Sequence, residues 1–223
     1  MIKLVVFDMA GTVVNENNVV YKTLCKAING GGVTVSLDQV LAEGAGKEKS
    51  TAIKDIVNRY APGHSNETTD EMYQHFIVLL EKAYEDLEVA PIEGAEELFK
   101  ALKTKGICSV VNTGYNSKIA NQLLLKLGWT SGVTFDKIVT ASDVDRTRPY
   151  PDMILLAMTL CGISEAKEVL KIGDSIIDIE EGKNAACGKT VGITTGAHTR
   201  AQLETAHPDY IINSLSELLA LAV

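Results

Sequence analysis

The clearest structural signal in this chain is a short stretch near its start, LVVFDMAGT at residues 4–12. Residues 4–7 are apolar and mostly β-branched or aromatic, which is typical of a buried strand in a parallel sheet. Asp8 follows with a carboxylate, and Gly11 allows the backbone to turn sharply. A carboxylate in this position can attack a phosphorus or carbon centre, although the same pattern also occurs in plain turns.

Similar apolar runs recur along the chain, and amphipathic stretches separate them. Strands that alternate with helices predict right-handed βαβ crossovers and an α/β fold with a doubly wound, mostly parallel, Rossmann-like sheet. In such sheets, ligands bind beyond the carboxyl ends of the strands. The predicted strands cover residues 107–111, 137–140, 169–172, 190–193 and 210–212, and the predicted helices cover 95–105, 118–127, 153–160, 176–186 and 215–221.

The interval of residues 15–88 breaks this alternation, because it contains helical patterns but no apolar strand run. The helical patterns cover residues 21–28, 50–59 and 71–84, with glycine and proline turn signals between them. We interpret this interval as a small helical domain inserted after the first strand, with residues 1–14 and 89–223 forming the core. An insert at that point would stand over the strand ends and could act as a lid.

Composition limits the classes of function. The 223 residues include 46% hydrophobic residues, enough for a core domain with an insert. The net charge of −8 gives no basic surface for nucleic acid, and no stretch approaches the roughly 20 apolar residues of a membrane span. We expect a cytoplasmic protein that acts on a small molecule, with no nucleic acid or membrane partner, and we allow for a homodimer.

The cysteines and histidines predict little chemistry. Cys25, Cys108, Cys161 and Cys187 show no metal-binding spacing, so we expect reduced, buried thiols. We expect all four histidines, His64, His75, His198 and His207, to lie at the surface.

Three further segments place polar groups after predicted strands. Thr113 and Gly114 follow the second strand, where a hydroxyl can hold a phosphoryl oxygen or cap a helix. Arg148 precedes Pro149 in a stiff turn, where a cation can fix a phosphoryl group or simply lie in solvent.

The third of these segments contains two carboxylates. Asp174 ends an apolar strand, and Asp178 follows one helical turn later. Asp8 and Asp174 at neighbouring strand ends would repel each other unless a divalent cation lay between them. The alternative is that the two acids only complement the positive end of a helix.

The four segments, taken in this order, resemble the four sequence motifs of the haloacid dehalogenase superfamily, and the helical insert resembles its cap domain. The resemblance covers essentially the whole chain. It implies that Asp8 is a catalytic nucleophile that forms an aspartyl-phosphate. It also implies a phosphoryl site and a Mg²⁺ site. The phosphoryl site would comprise Gly11, Thr12, Thr113, Gly114 and Arg148, and the Mg²⁺ site Asp8, the carbonyl of Ala10, Asp174 and Asp178.

Two departures from the usual motifs of the superfamily narrow the resemblance to one of its subgroups. Most phosphatases of the superfamily carry a second aspartate in the first motif as a general acid, whereas this chain has Ala10. It also has Arg148 where lysine is usual. Both features look like phosphonoacetaldehyde hydrolases, in which a cap lysine forms a Schiff base with the substrate. The leaving group is then an enamine, which departs without an acid.

We predict Lys47 as that catalytic lysine, because the glycines before it allow a cap loop to approach the core. We expect Lys49 to lie on a solvated helix face. Lys47 could instead only bind phosphate. Such hydrolases are also expected to carry a methionine and a histidine near the lysine, where this chain offers Glu43 and Ser50.

Three alternatives for the function therefore stay open. The first is a Mg²⁺-dependent, phosphonatase-like hydrolase that cleaves the C–P bond of phosphonoacetaldehyde or a related substrate through Asp8. The second is a phosphatase for a small metabolite with a good leaving group, such as an acyl phosphate or another anhydride. The third is a non-catalytic binding module.

Overall fold

The computed structural model describes residues 1–85 and 87–222. Its main sheet has six strands, all parallel, in the order β5-β4-β1-β6-β7-β8 when strands are numbered along the chain. A short antiparallel pair, β2 with β3, lies outside this sheet. The strands are β1 (Leu4–Asp8), β2 (Val14–Asn15), β3 (Ala90–Pro91), β4 (Cys108–Thr113), β5 (Lys137–Thr140), β6 (Val169–Gly173), β7 (Lys189–Ile193) and β8 (Tyr210–Ile212).

Helices cover both faces of the sheet, because residues on the central strand alternate between two apolar cores. Val5 and Phe7 pack into one core, and Leu4 and Val6 into the other. The predicted α/β, doubly wound parallel fold is therefore confirmed. The helices after β3 are α5 (Ala95–Thr104), α6 (Ser117–Leu127), α7 (Asp152–Cys161), α8 (Ile176–Asn184), α9 (Arg200–Thr205) and α10 (Leu218–Ala222).

Four helices lie between β2 and β3, and we call them the helical insert: α1 (Val19–Gly30), α2 (Leu37–Gly44), α3 (Lys49–Tyr60) and α4 (Asn66–Glu85). α1 packs mainly against α4, and its apolar face joins the same hydrophobic core as Phe7 of the sheet. Asn17 and Asn18 connect the insert to β2 in the left-handed region, with φ of 53° and 54°. This region is open to asparagine at low cost.

Two short helices, α2 and α9, are absent from the sequence-based prediction. Both begin with a capping box, in which Ser36 pairs with Gln39 and Thr199 pairs with Gln202. Such a box is visible in the sequence and is a helix start signal. No helix among the described residues is both long and apolar enough to cross a membrane.

The expectation of reduced thiols is wrong for two cysteines. Cys108 at the start of β4 and Cys161 at the end of α7 form a disulfide, with their Cα atoms 6.5 Å apart. Cys25 and Cys187 are free. The two bonded cysteines meet only because α7 packs back on β4, which the sequence spacing does not indicate.

Candidate active site

The site is built at the carboxyl ends of three adjacent strands, β4, β1 and β6. Asp8 at the end of β1 is in register with Asn112 of β4. On the other side, Phe7 is in register with Ile172 of β6, so Asp174 follows β6 beside Asp8. The two acids therefore come from neighbouring strands, as the crevice rule for open α/β sheets predicts.

Asp8, Asp174 and Asp178 form one buried cluster. Each offers a carboxylate oxygen, and these three oxygens lie within 4.8 Å of one another. The Asp174 carboxylate accepts a hydrogen bond from the amide of Ala197 at 2.6 Å. Gly196 explains this close approach, because a Cβ there would lie 1.9 Å from the Asp174 Oδ2 atom.

Arg148 lies inside the site rather than in solvent, with a side chain only 1% exposed. Its Nη1 atom lies 2.6 Å from Asp8 Oδ1 and 3.0 Å from Asp178 Oδ1. Nη2 donates to the carbonyl and side-chain oxygens of Asn112, and Nε donates to Glu181 at 3.0 Å. The guanidinium thus makes four hydrogen bonds to protein acceptors and an ion pair with Asp178. In this arrangement Arg148 orients the Asp8 carboxylate.

A second buried cation, Lys171, supports the same acids. Its ammonium donates to Asn112 Oδ1 at 2.6 Å and lies 3.0 Å from Asp178 and 3.2 Å from Glu181. Asn112 also donates to Glu181 at 2.9 Å. The result is one connected network of charges and amides beneath Asp8.

Three residues of this network were not predicted as site residues, namely Lys171, Glu181 and Asn112, although two of them carry a signal in the sequence. Lys171 is a charge inside an otherwise apolar strand, which is rare unless the charge is paired. Glu181 lies three residues after Asp178, on the same face of α8.

The charges of this network do not balance. Asp8, Asp174, Asp178 and Glu181 supply four carboxylates, against the cations Arg148 and Lys171. When all are ionised, an excess of two negative charges is left, which a divalent cation would neutralise. The hard oxygen donors suit Mg²⁺. The residues present therefore fit such an ion.

The pKa values of the three aspartates follow the same imbalance. Burial, followed by repulsion from Asp8 and Asp178, raises the pKa of Asp174 well above its ordinary value. Burial also raises the pKa of Asp8, and repulsion from Asp178 adds to this. Burial acts on Asp178 too, but attraction to Arg148 and Lys171 outweighs it and lowers its pKa. Asp174 is thus the acid that most needs a cation.

The predicted phosphoryl-binding residues lie around Asp8. The Thr12 hydroxyl is 3.4 Å from Asp8 Oδ2, and the Thr113 hydroxyl accepts from the amide of Tyr115 at 3.1 Å. Gly11 has a φ of 85°, and a Cβ there would lie 2.4 Å from Asp174 Oδ2. A Cβ at Gly114 would lie 2.9 Å from the carbonyl oxygen of Gly46 in the helical insert. The two glycines therefore allow close backbone packing at the site.

The two candidate lysines differ in a way that the sequence did not predict. The Lys47 ammonium lies 2.5 Å from Asp55, and its side chain is 27% exposed. Lys49 is only 4% exposed, so its expected place on a solvated helix face is wrong. Its ammonium donates to the carbonyl of Lys47 at 2.7 Å and lies 4.8 Å and 5.3 Å from the ring centres of Tyr21 and Tyr115.

Burial lowers the pKa of Lys49 to about 8, and attraction to Asp8 is the strongest effect that opposes this. At pH 7, roughly a tenth of this amine is therefore unprotonated, far more than for an exposed lysine. A buried and partly neutral amine is the form in which lysine acts as a nucleophile.

The loop that carries these lysines is pressed against the core. The Gly46 amide donates to the Tyr21 hydroxyl at 3.0 Å, and a Cβ at Gly46 would lie 2.2 Å from Ile177 Cγ2. His198, expected at the surface, is 5% exposed. Its Nδ1 accepts from the amide of Ile176 and its Nε2 lies 3.3 Å from the carbonyl of Leu41, so it links the core to α2.

Comparisons with known proteins agree with this architecture. A protein named phosphonoacetaldehyde hydrolase from Bordetella pertussis is 28% identical, and the match covers 97% of this chain and 90% of that protein. Pyrophosphatase PpaX from Anoxybacillus flavithermus is 27% identical over 99% of this chain and 96% of that protein. The crystal structure of a phosphonoacetaldehyde hydrolase-like protein from Oleispira antarctica shares the fold, with a TM-score of 0.84, 22% identity and coverage of 99% and 91%.

The family itself follows from a match to a whole-family model. The model is that of the haloacid dehalogenase-like hydrolases, and it matches residues 2–186. These residues include the three strands, the helical insert and each of the acids described above. The chain is an enzyme that belongs to the haloacid dehalogenase-like hydrolase family.

Proposed function

We propose that this enzyme cleaves the carbon–phosphorus bond of phosphonoacetaldehyde or a related carbonyl phosphonate. Asp8 is the nucleophile, and Lys49 takes the Schiff-base role that the sequence analysis gave to Lys47. The observation that carries the proposal is the burial of Lys49, with its lowered pKa, in an active site that has Ala10 in place of a general acid.

The proposed reaction begins with the neutral Lys49 amine, which adds to the substrate carbonyl and expels water to give an iminium. The Asp8 carboxylate then attacks phosphorus. The electron pair of the C–P bond moves toward the iminium and leaves a neutral enamine, so no proton has to be delivered to a departing alkoxide. This is consistent with Ala10.

The two covalent adducts are then resolved by water. One water molecule hydrolyses the aspartyl-phosphate and restores the Asp8 carboxylate with release of phosphate. The enamine takes up a proton at carbon, and a second water hydrolyses the resulting iminium, which frees acetaldehyde and the Lys49 amine. The net reaction consumes one water molecule per substrate.

The remaining site residues are proposed to hold the metal ion and the phosphoryl group and to orient Asp8. Asp8, Asp174 and the carbonyl of Ala10 would hold Mg²⁺, with Asp178 in the same cluster, and the ion would supply positive charge to the phosphoryl group. Thr113, with the backbone at Gly11, Thr12 and Gly114, would bind phosphoryl oxygens. Because Arg148 makes four hydrogen bonds to protein acceptors and an ion pair with Asp178, its proposed part is to hold Asp8 in position.

The experiment that tests this function follows phosphate release from phosphonoacetaldehyde with Mg²⁺, with Asp8→Asn as the blank. We expect Lys49→Arg to lose about 10³-fold or more in activity, because a guanidinium cannot form the imine. Lys47→Arg is the matched control and should stay within about threefold, since an arginine can keep the Asp55 ion pair. Trapping with borohydride and substrate should add mass to the peptide that contains Lys49. Equal losses in both variants, or trapping at Lys47, would refute the assignment.

A second candidate, hydrolysis of a phosphoanhydride, is favoured by one observation. The relative from Anoxybacillus flavithermus is named a pyrophosphatase, and an anhydride leaving group also needs little help from an acid such as the one that Ala10 replaces. An assay of phosphate release from pyrophosphate separates the two functions. An anhydride hydrolase would keep its activity in Lys49→Gln, whereas a phosphonatase would lose it.

A further inference from the structure

A cavity of about 150 Å³ lies between α4 of the helical insert and the core. Lys49 and Gly114 form part of its wall, so it opens onto the same place as the proposed imine. Asp8 and Arg148 are not among its lining residues, so the cavity adjoins Lys49 and not the nucleophile. The cavity shares Gly114 with the proposed phosphoryl site, so a substrate whose phosphoryl group lies at Asp8 would place its leaving group here.

The walls of this cavity offer mainly apolar surface. Phe76 and Ile77 come from α4, and Tyr115 and Ile119 come from the core. The ring of Phe76 is further packed against Tyr73, with ring centres 6.2 Å apart. Such walls suit a flat or branched hydrocarbon group.

Three polar side chains in the walls are already engaged, whereas the buried hydroxyl of Tyr115 has no hydrogen-bond partner among the described residues. Glu48 accepts hydrogen bonds from the first amides of α3, and Asn116 accepts from the amide of Ile119. The Ser142 hydroxyl accepts from the amide of Ser117. Since these groups cap helices and fix turns, they do not mark the cavity as a site for a charged group.

The size of the cavity exceeds what phosphonoacetaldehyde needs. An apolar cavity of about 150 Å³ can hold a benzene ring. Once the carbonyl carbon of phosphonoacetaldehyde is joined to Lys49, the substrate has no further carbon to place there. We infer that the cavity is a subsite for a compact apolar group of about six heavy atoms on the leaving group of the substrate.

Within the proposed function, on which this inference rests, the substrate is a 2-oxoalkyl phosphonate, R–CO–CH2–PO3, with R a ring or a branched chain. Lys49 forms a ketimine with the carbonyl, and the C–P electron pair again produces an enamine. Protonation and hydrolysis release the methyl ketone R–CO–CH3 and the free amine. Phosphate leaves from Asp8, with the same consumption of one water molecule.

The first test is a substrate series with R as hydrogen, methyl, isobutyl and phenyl. Burial of a phenyl group should raise kcat/KM over the methyl compound by about 10- to 100-fold. Ile77→Phe would narrow the cavity and bring this ratio close to one. Val78→Phe adds the same ring at the next position of α4, where the side chain is 64% exposed, and should leave the ratio as in the natural enzyme.

A binding measurement separates the cavity from the chemistry. With Mg²⁺ present, calorimetry compares ethylphosphonate with 2-phenylethylphosphonate, neither of which has a carbonyl or can be cleaved through an imine. Tighter binding of the phenyl compound by about tenfold or more, lost in Ile77→Phe, supports the subsite. Equal binding of the two compounds overturns it. Absence of turnover with every 2-oxo phosphonate would count against the proposed function alone.

Discussion

Two lysines are buried near the proposed reaction site, and their surroundings are opposite. Lys171, in the core, is fully buried among Asn112, Asp178 and Glu181, with a carboxylate oxygen 3.0 Å from its ammonium. Lys49, in the helical insert, is nearly as buried. Its close contacts are a backbone carbonyl and two aromatic rings.

The difference shows how one fold uses the same side chain for two tasks. A buried ammonium is costly unless an anion is paired with it. Lys171 has such anions beside it, and its charge offsets part of the acid excess beneath Asp8. Lys49 is stabilised only by a carbonyl dipole, by aromatic faces and by more distant acids, so its pKa falls to about 8. The core thus surrounds its buried lysine with carboxylates, whereas the insert buries Lys49 in surroundings that favour the neutral amine.

Two buried glutamates repeat the contrast. Glu181 in the core lies 3.0 Å from Arg148 and 3.2 Å from Lys171. Glu16, at the entry to the insert, accepts a hydrogen bond from the amide of Val20 at 3.1 Å. Burial raises the pKa of Glu16 to about 7, although Lys49 and Lys22 act against this from a distance. The same substitution at the two sites should therefore have opposite effects.

The largest effect is expected for Glu181→Gln. With Mg²⁺ present, the charges of the network would balance, so the variant would leave one positive charge uncompensated, and loss of one partner from a buried ion pair costs about 3–5 kcal/mol. Unfolding in urea should show the loss, together with a fall in activity as Arg148 and Asp8 shift. Glu180→Gln, the exposed neighbour on α8, is the control and should leave stability nearly unchanged. If Glu181→Gln were as stable as the natural protein, the proposed difference between the core glutamate and Glu16 would be wrong.

Much of the core was predictable, because its signals are local. Each strand of the main sheet is an apolar run, and parallel strands bring their carboxyl ends to one edge, which was enough to group Asp8, Thr113 and Asp174. Arg148 was predicted to belong to this group from its place in the motif order. Its contacts with Glu181 and Asn112 were not predicted. Glu181 approaches it only because α8 packs against β6, and Asn112 approaches it from β4.

The choice between Lys47 and Lys49 was not predictable from the glycines around them. It depends on where α3 begins, since Glu48 caps that helix and directs the next side chain inward toward Tyr21. Tyr21 lies on another helix, 28 positions earlier in the sequence. The disulfide of Cys108 with Cys161 was not predictable for the same reason, because its partners are 53 residues apart and meet only in the packed fold.

A smaller effect is expected where the insert meets the core. Gly46→Ala introduces a Cβ 2.2 Å from Ile177 Cγ2 at a φ of +73°, so both overpacking and backbone strain act, at about 2–3 kcal/mol together. Because the loop that carries Lys49 would be displaced, KM should rise and borohydride trapping should weaken.

Gly63→Ala is the matched control for this change. Gly63 also has a positive φ, +108°, but no atom lies within 4 Å of its added Cβ. We expect a loss of stability of about 1 kcal/mol from strain, with trapping unchanged. If both variants kept the trapping rate, the position of this loop would have no influence on Lys49.

The smallest effect, and the one with the opposite sign, is expected for Glu16→Gln. A carboxyl whose pKa rises from 4.5 to about 7 on folding stabilises the protein only while it is protonated, so this stability is present below pH 4.5 and is lost as the pH rises through 7. Glutamine keeps an oxygen for the amide of Val20 without the buried charge. We compare the free energy of unfolding of the variant with that of the natural protein at pH 4 and at pH 8. This difference should shift in favour of the variant by about 1–3 kcal/mol between pH 4 and pH 8. Urea unfolding at both pH values measures this shift, and Glu67→Gln, at an exposed position, is the control. If no shift were found, the buried charge of Glu16 would be offset by its surroundings, as the cations around Glu181 offset the charge there.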